Sequence, residues 1–223
     1  LFDEMLKLLT CGHAMDCLQR LRSVGLHKGL LPLIDIIFEE NGGRQFVELA
    51  LERTDARVRS GKTVSPSFLF AALLWKLVDK RQQALVAKGE PPMQALMQAA
   101  DDIIEGQTKT LAIQRRYQAD MREIWFMQPR FERATPKGMW RMLDHPRFRA
   151  AVDFLQLRAE AREVDSVQAQ WWMDLANADT ADRSEMIDAW QRDNKDAATS
   201  NKPRRRRRPR RNPASRAPAP PAE

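Results

Sequence analysis

The chain has 223 residues, is 43% apolar and carries a formal charge of +7. Residues 202–223 hold nine basic side chains and one acid, Glu223, which leaves 28 basic against 29 acidic groups in residues 1–201. That split excludes a uniformly basic globule and predicts a near-neutral folded body trailing a cationic arm.

Residues 1–9 read as an amphipathic helix already in progress, with Phe2, Met5, Leu6 and Leu9 at i, i+3, i+4 and i+7. Because residue 1 is Leu rather than Met, the segment is expected to be the C-terminal part of a longer polypeptide. Asp3, Glu4 and Lys7 do not fit a secretory signal. Cys11 and Cys17 are too few for a disulfide framework or a four-ligand zinc site, so a reducing cytoplasm is the expected compartment. Six apart on one expected helix, they should point to different sides, and with His13 they make only a weak case for a metal. Gly25 and Gly29 punctuate helices expected near residues 13–24 and 29–40. Asn41-Gly42-Gly43 ends the second, and a third is expected near 44–58.

Ser65-Pro66 is a helix start, since Ser caps free N–H groups and Pro needs no donor in the first turn. The run from Phe68 to Trp75 is apolar on nearly every side, which marks the centre of the core. Pro91-Pro92 opens a helix to about Ile104, on which Asp101 and Asp102 read as solvated first-turn charges. Thr108 is expected to open a long helix to about Met127. Thr135-Pro136 and His145-Pro146 repeat the cap-plus-proline device, and Phe148, Ala151, Val152, Leu155 and Ala159 form one stripe. The pairs Met93/Met97 and Met139/Met142 read as ordinary packing. Shorter helices near 166–176 and 181–190 bring Trp171, Trp172 and Trp190. No run of 18 apolar residues exists, so no membrane-spanning helix is expected. Strand alternation is missing throughout, and the fold class is all-α. Beyond Asp193 the only apolar residues are Ala, and six of the 13 prolines follow residue 201, so a disordered tail is expected.

Two basic regions carry the functional reading. In the arm, Lys202, Arg204, Arg205, Arg206, Arg207, Arg208, Arg210 and Arg211 are interrupted by prolines that hold an extended backbone. Arginine forks fit phosphate oxygens bidentately, so the arm reads as a sequence-independent nucleic-acid tether, with a solubilising tail as the alternative. About eight contacts to single-stranded RNA would give a log K against log salt slope near −5 to −6. In the body, Arg130, Arg133, Lys137, Arg141, Arg147 and Arg149 stand against Glu132 and Asp144, a local balance of +4. On a helix continued past Arg147, Arg158 and Arg162 would fall within about 60° of it. Phe131, Trp140 and Phe148 are interleaved, as in surfaces that track a single strand, although each aromatic reads better as core. His27 reads as a surface residue and His145 as a helix-start residue. No Asp-x-Asp pair, GxGxxG, P-loop or GxSxG occurs, so the segment reads as binding rather than catalysing.

Asp144-His145-Pro146-Arg147-Phe148-Arg149-Ala150-Ala151, with Asp153-Phe154-Leu155 and Leu157-Arg158-Ala159-Glu160, resembles a signature of the bacterial poly(A) polymerases. These are nucleotidyltransferases related to the CCA-adding tRNA enzymes. Residues 1–9, Asn41-Gly42, Thr54-Asp55-x-Arg57, the run from Val64 to Trp75, Trp171-Trp172 and the arginine-proline arm agree with that family in order. The resemblance implies template-independent addition of AMP from ATP to RNA 3′ ends, with Mg²⁺ and ATP held by an N-terminal head preceding residue 1. It implies no catalytic residue, metal or cofactor in this segment. It divides the chain into the end of a neck and first body helices (1–60), a helical body or leg of the class II type with a basic RNA-binding face (61–175), a short helix and linker (176–201), and the arm (202–223). The expected partners are single-stranded RNA 3′ ends and RNA-processing or degradation factors. The rival readings are an all-α RNA-binding adaptor without enzymatic function, and the C-terminal part of a CCA-adding enzyme.

Overall fold

The computed structural model describes residues 2–25 and 43–200, with the backbone alone at residues 43, 44, 110 and 195–200. The helix expected near 29–40, the Asn41-Gly42 break and the arm from Lys202 to Arg211 lie outside the described residues. Among the described residues the fold is all-α. Its helices are α1 (Phe2–Leu9), α2 (Ala14–Ser23), α3 (Gly43–Arg59), α4 (Pro66–Val86), α5 (Pro92–Leu111), α6 (Arg115–Glu132), α7 (Pro136–Leu143), α8 (Phe148–Glu160), α9 (Ser166–Asn177) and α10 (Thr180–Ser200). None of the described helices is long and apolar enough to cross a membrane.

The central element is α4. Ser65 Oγ accepts the Phe68 N–H and Pro66 takes the first helical position, so the start is capped as its sequence demands. Ser67 and every residue from Leu69 to Trp75 are buried. Helices α3, α5, α6 and α8 pack around it. At 3% exposure Trp75 is core, its indole N–H donating to Glu163 Oε2 at 2.9 Å and its ring edge-on to Phe154.

Two apolar cores result. The first gathers α1 to α5 with Met121, Ile124 and Trp125 of α6 and Phe154 and Leu157 of α8. The second gathers Met127 and Phe131 of α6, Phe148, Val152 and Leu155 of α8, and the apolar faces of α7, α9 and α10. Helices α6 and α8 thus serve both cores with different faces, which fixes the cores against each other along two shared elements.

Several expectations need correcting. Thr108 does not open a helix; it lies inside α5, its hydroxyl donating to Ile104 O at 2.7 Å, a mid-helix use of Thr that competes with capping. The break comes instead at Ala112, whose φ of 49° is left-handed, and α6 then runs past Met127 through Pro129. Asp101 and Asp102 are mid-helix and bridge outward to Arg122 and Arg81, about 100° apart as adjacent helical residues must be. Helix α10 outruns the expected 181–190 because no Gly or Pro interrupts 180–200. Met93 and Met97 are exposed rather than packed, whereas Met139 and Met142 are buried. Cys11 sits in the turn ahead of α2, not on it, so its Sγ lies 3.7 Å from that of Cys17 instead of facing away.

Candidate nucleic-acid interface

Helix α6 outlasts the first core by two turns and carries its final residues into a junction between the two cores. A groove of about 670 Å³ opens there, walled by Trp75 and Asp79 of α4, Met93 of α5, the end of α6 and Gly138, Arg141 and Met142 of α7. Arg130, Arg133, Arg141 and Arg158 all line it, against the carboxylates of Asp79 and Glu132. Thr135 caps α7 by accepting the Gly138 N–H at 3.1 Å, and Pro136 follows at the first helical position. That cap turns α7 so that Met139 and Met142 enter the second core while Lys137, Trp140 and Arg141 face outward. Phe131 and Phe148 are core as expected, but Trp140 is 37% exposed. It shares α7 with the exposed cations Lys137 and Arg141.

The eight body cations separate into two groups. Arg130, Arg133, Lys137 and Arg141 are exposed and make no ion pair with a described residue, and Arg162 is likewise exposed. The other three are engaged. Arg147 Nε donates to Asp120 Oδ1 at 2.9 Å. Arg149 reaches Asp153 at 3.2 Å and also Asn177. Arg158 is 12% exposed, pairs with Glu163 at 3.3 Å, donates to Gln128 and stacks 4.9 Å over Trp75. The shared face expected for Arg147, Arg158 and Arg162 does not form, because α8 spans only Phe148–Glu160 and Arg162 leaves it at a φ of 62°. His145 acts at a chain turn, its Nδ1 accepting the Arg147 N–H at 3.1 Å.

A second groove, also about 670 Å³, lies on the opposite flank of α8 between α3 and the start of α4. Arg53, Arg57, Arg149 and Asp153 line it, with Thr63 and Ser65. Arg53 pairs with Glu160, and Arg57 Nε donates to Thr63 O at 2.6 Å. Burial raises the Asp153 carboxyl above the ordinary aspartate value, against the pull of Arg149, Arg57 and Arg53. Arg53 and Arg57 were not among the expected contacts. Their i, i+4 spacing on α3 was the available signal.

Among the described residues no three His, Cys, Asp or Glu side chains come together as a metal site. Asp101 and Asp102 diverge to separate arginines, so these carboxylates do not fit a Mg²⁺ pair.

Among the described residues, fold and grooves together define an all-α body whose inter-core junction exposes cations without an ion pair. Residues 88–212 match the family described as the arginine-rich C-terminus of polymerase A, and residues 1–37 match the one described as a probable RNA- and SrmB-binding site of polymerase A. The chain is 34% identical over 212 residues to Poly(A) polymerase I of Salmonella typhi, covering 92% of this chain and 46% of that protein. It is 33% identical to Poly(A) polymerase I of Escherichia coli O157:H7 over the same shares, and 32% identical over 199 residues to that of Haemophilus influenzae, covering 86% of this chain and 44% of the relative. The chain belongs to the bacterial poly(A) polymerase family and corresponds to its arginine-rich C-terminal region. It spans about half the length of the curated relatives it matches.

Proposed function

We propose that this chain holds single-stranded RNA for template-independent addition of AMP from ATP to RNA 3′ ends. The observation that carries the reading is a set of exposed cations with no ion pair among the described residues: Arg130, Arg133 and Arg141 line the inter-core groove, and Lys137 lies near them on α7, in a poly(A) polymerase family member. Phosphate contacts need no base readout, which suits an enzyme that tails varied RNAs. Trp140 supplies a ring on which one base can stack. The arm, Lys202, Arg204 to Arg208, Arg210 and Arg211, adds a tether that raises local RNA concentration and steers encounter.

Arg149, with Arg53 and Arg57, offers a second stretch of positive surface across α8, and Arg162 a further exposed charge. Arg147 and Arg158 contribute chiefly by holding this surface in place through Asp120 and Glu163. The family resemblance implies that carboxylates for Mg²⁺ and ATP lie outside this chain, which spans about half of its relatives' length.

The test is fluorescence anisotropy with a labelled oligo(A). Replacing Arg130, Arg133, Lys137 and Arg141 together by Ala should weaken binding while leaving the urea midpoint in place. Unchanged affinity in a folded variant would reject the groove as the RNA surface.

A further inference from the structure

The sharpest cluster of reactive side chains outside the grooves is at the corner between α1 and α2. Thr10, Cys11, Gly12 and His13 form the turn, with Gly12 at a φ of 85° that an L side chain rarely adopts. Two contacts from α3 hold the turn. Both carboxylate oxygens of buried Asp55 accept the Ala14 N–H, at 3.0 and 2.9 Å, and Arg59 Nη1 donates to Gly12 O at 2.7 Å. The outcome is a fixed corner on which the two sulfurs lie 3.7 Å apart, Cys11 exposed and Cys17 partly covered in the second turn of α2.

We propose that Cys11 and Cys17 are a modification site, forming a reversible intramolecular disulfide by exchange with a low-molecular-weight disulfide such as glutathione disulfide. The site is independent of the RNA reading. The sulfurs need to close by only about 1.7 Å to reach bonding distance. Exposed Cys11 is the sulfur a solution disulfide meets first. Its thiolate, having released a proton to solvent, attacks one sulfur of the oxidant; a Cys11–glutathione bond forms, the oxidant's S–S bond breaks and one glutathione thiolate leaves. Cys17 then loses its proton and attacks Cys11 Sγ, the Cys11–Cys17 bond forms and the second glutathione thiolate leaves. Two protein thiols are thereby oxidised and one glutathione disulfide is reduced to two thiols. Burial, with Cys11 and the carboxylates of Asp16 and Asp55 nearby, pushes the Cys17 thiol up, which suits a resolving rather than an attacking cysteine. A solvent-facing disulfide in a short loop belongs to the readily reduced class, so the bond should reopen with thiol. The corner lies within residues 1–37, the segment matching the family described as a probable RNA- and SrmB-binding site of polymerase A.

The test uses the full chain, incubated with glutathione and glutathione disulfide at graded ratios, acid-quenched, alkylated and mapped by mass spectrometry. The expected result is joint loss of both alkylation sites. A peptide lighter by two hydrogens should join Cys11 to Cys17, and dithiothreitol should restore both thiols. Cys17→Ser should instead accumulate glutathione on Cys11, with an unchanged circular-dichroism melt showing that it folds. Three outcomes would overturn the proposal: glutathione retained on Cys11 of the unsubstituted chain, disulfide-linked dimers in place of the internal bond, or two thiols that remain alkylatable at every ratio.

Discussion

Asp120 joins three helices through one carboxylate: its Oδ1 accepts Arg147 Nε at 2.9 Å while its Oδ2 accepts the Ser67 hydroxyl at 2.9 Å. Ser67 is in the first turn of α4 and Arg147 immediately precedes α8, so a side chain of α6 ties the start of both to itself. This makes Arg147 a structural arginine despite its place in a basic stretch. Replacing Asp120 by Ala should leave a largely buried hydroxyl and a guanidinium without their acceptor and cost about 1–3 kcal/mol. Arg141→Ala, on an exposed residue with no ion pair among the described residues, should stay within about 0.5 kcal/mol. Urea denaturation of the two variants checks the contrast.

Trp75 and Trp140 should respond differently to truncation. Trp75 packs edge-on to Phe154 and donates to Glu163, so Trp75→Ala should cost about 3–5 kcal/mol of stability. Trp140 is 37% exposed on α7, so Trp140→Ala should cost clearly less stability than Trp75→Ala. If it stacks a base, its loss should weaken oligo(A) binding by about 1–3 kcal/mol. Thermal melts beside anisotropy titrations separate the two effects.

Ala112 ends α5 in the left-handed region at a φ of 49°, exposed and without a glycine's freedom. An L residue there costs roughly 1–2 kcal/mol relative to its ordinary conformations. Ala112→Gly should therefore stabilise the chain by about 1 kcal/mol once the glycine's greater unfolded-state freedom is subtracted. A raised urea midpoint is the expected reading.

Asp153 makes a pH prediction. Its carboxyl is raised above 3.8 by burial, so the folded state binds its proton more tightly than the unfolded state does. Stability from this group is thus greatest below 3.8 and falls as pH rises through the raised folded value. Asp153→Asn should remove that fall while keeping an oxygen for Arg149 to bond. The stability difference, wild type minus variant, should decrease with rising pH across that window in urea melts.

The sequence was most legible where one local signal acted alone. Ser65-Pro66 and Thr135-Pro136 start helices as read, and the all-apolar run to Trp75 is the core, because capping and burial are settled within a few residues. It misled where a signal has two uses. Thr108 caps nothing, because its hydroxyl is satisfied by Ile104 O inside a continuous helix. The true break falls on an alanine, whose left-handed turn leaves no compositional mark. Of the basic groups, charge density marks a stretch of sequence but does not separate the exposed Arg130, Arg133, Lys137 and Arg141 from the engaged Arg147 and Arg158. The acceptors that engage those two, Asp120 and Glu163, are set by tertiary packing. The approach of Cys11 to Cys17 was missed for a related reason, since the turn at Gly12 takes Cys11 off the helix on which the separation was reckoned.

The most direct test of the account is the salt dependence of oligo(A) binding. It should be measured for the full chain, for the variant with Arg130, Arg133, Lys137 and Arg141 replaced by Ala, and for the chain lacking residues 202–223. At about 0.7 per phosphate contacted on a single strand, the slope of log K against log salt should flatten by about 3 in the first variant and by about 5–6 in the second. Binding that ignores salt, or a full-chain slope left intact by both changes, would contradict the claim that these cations hold the RNA.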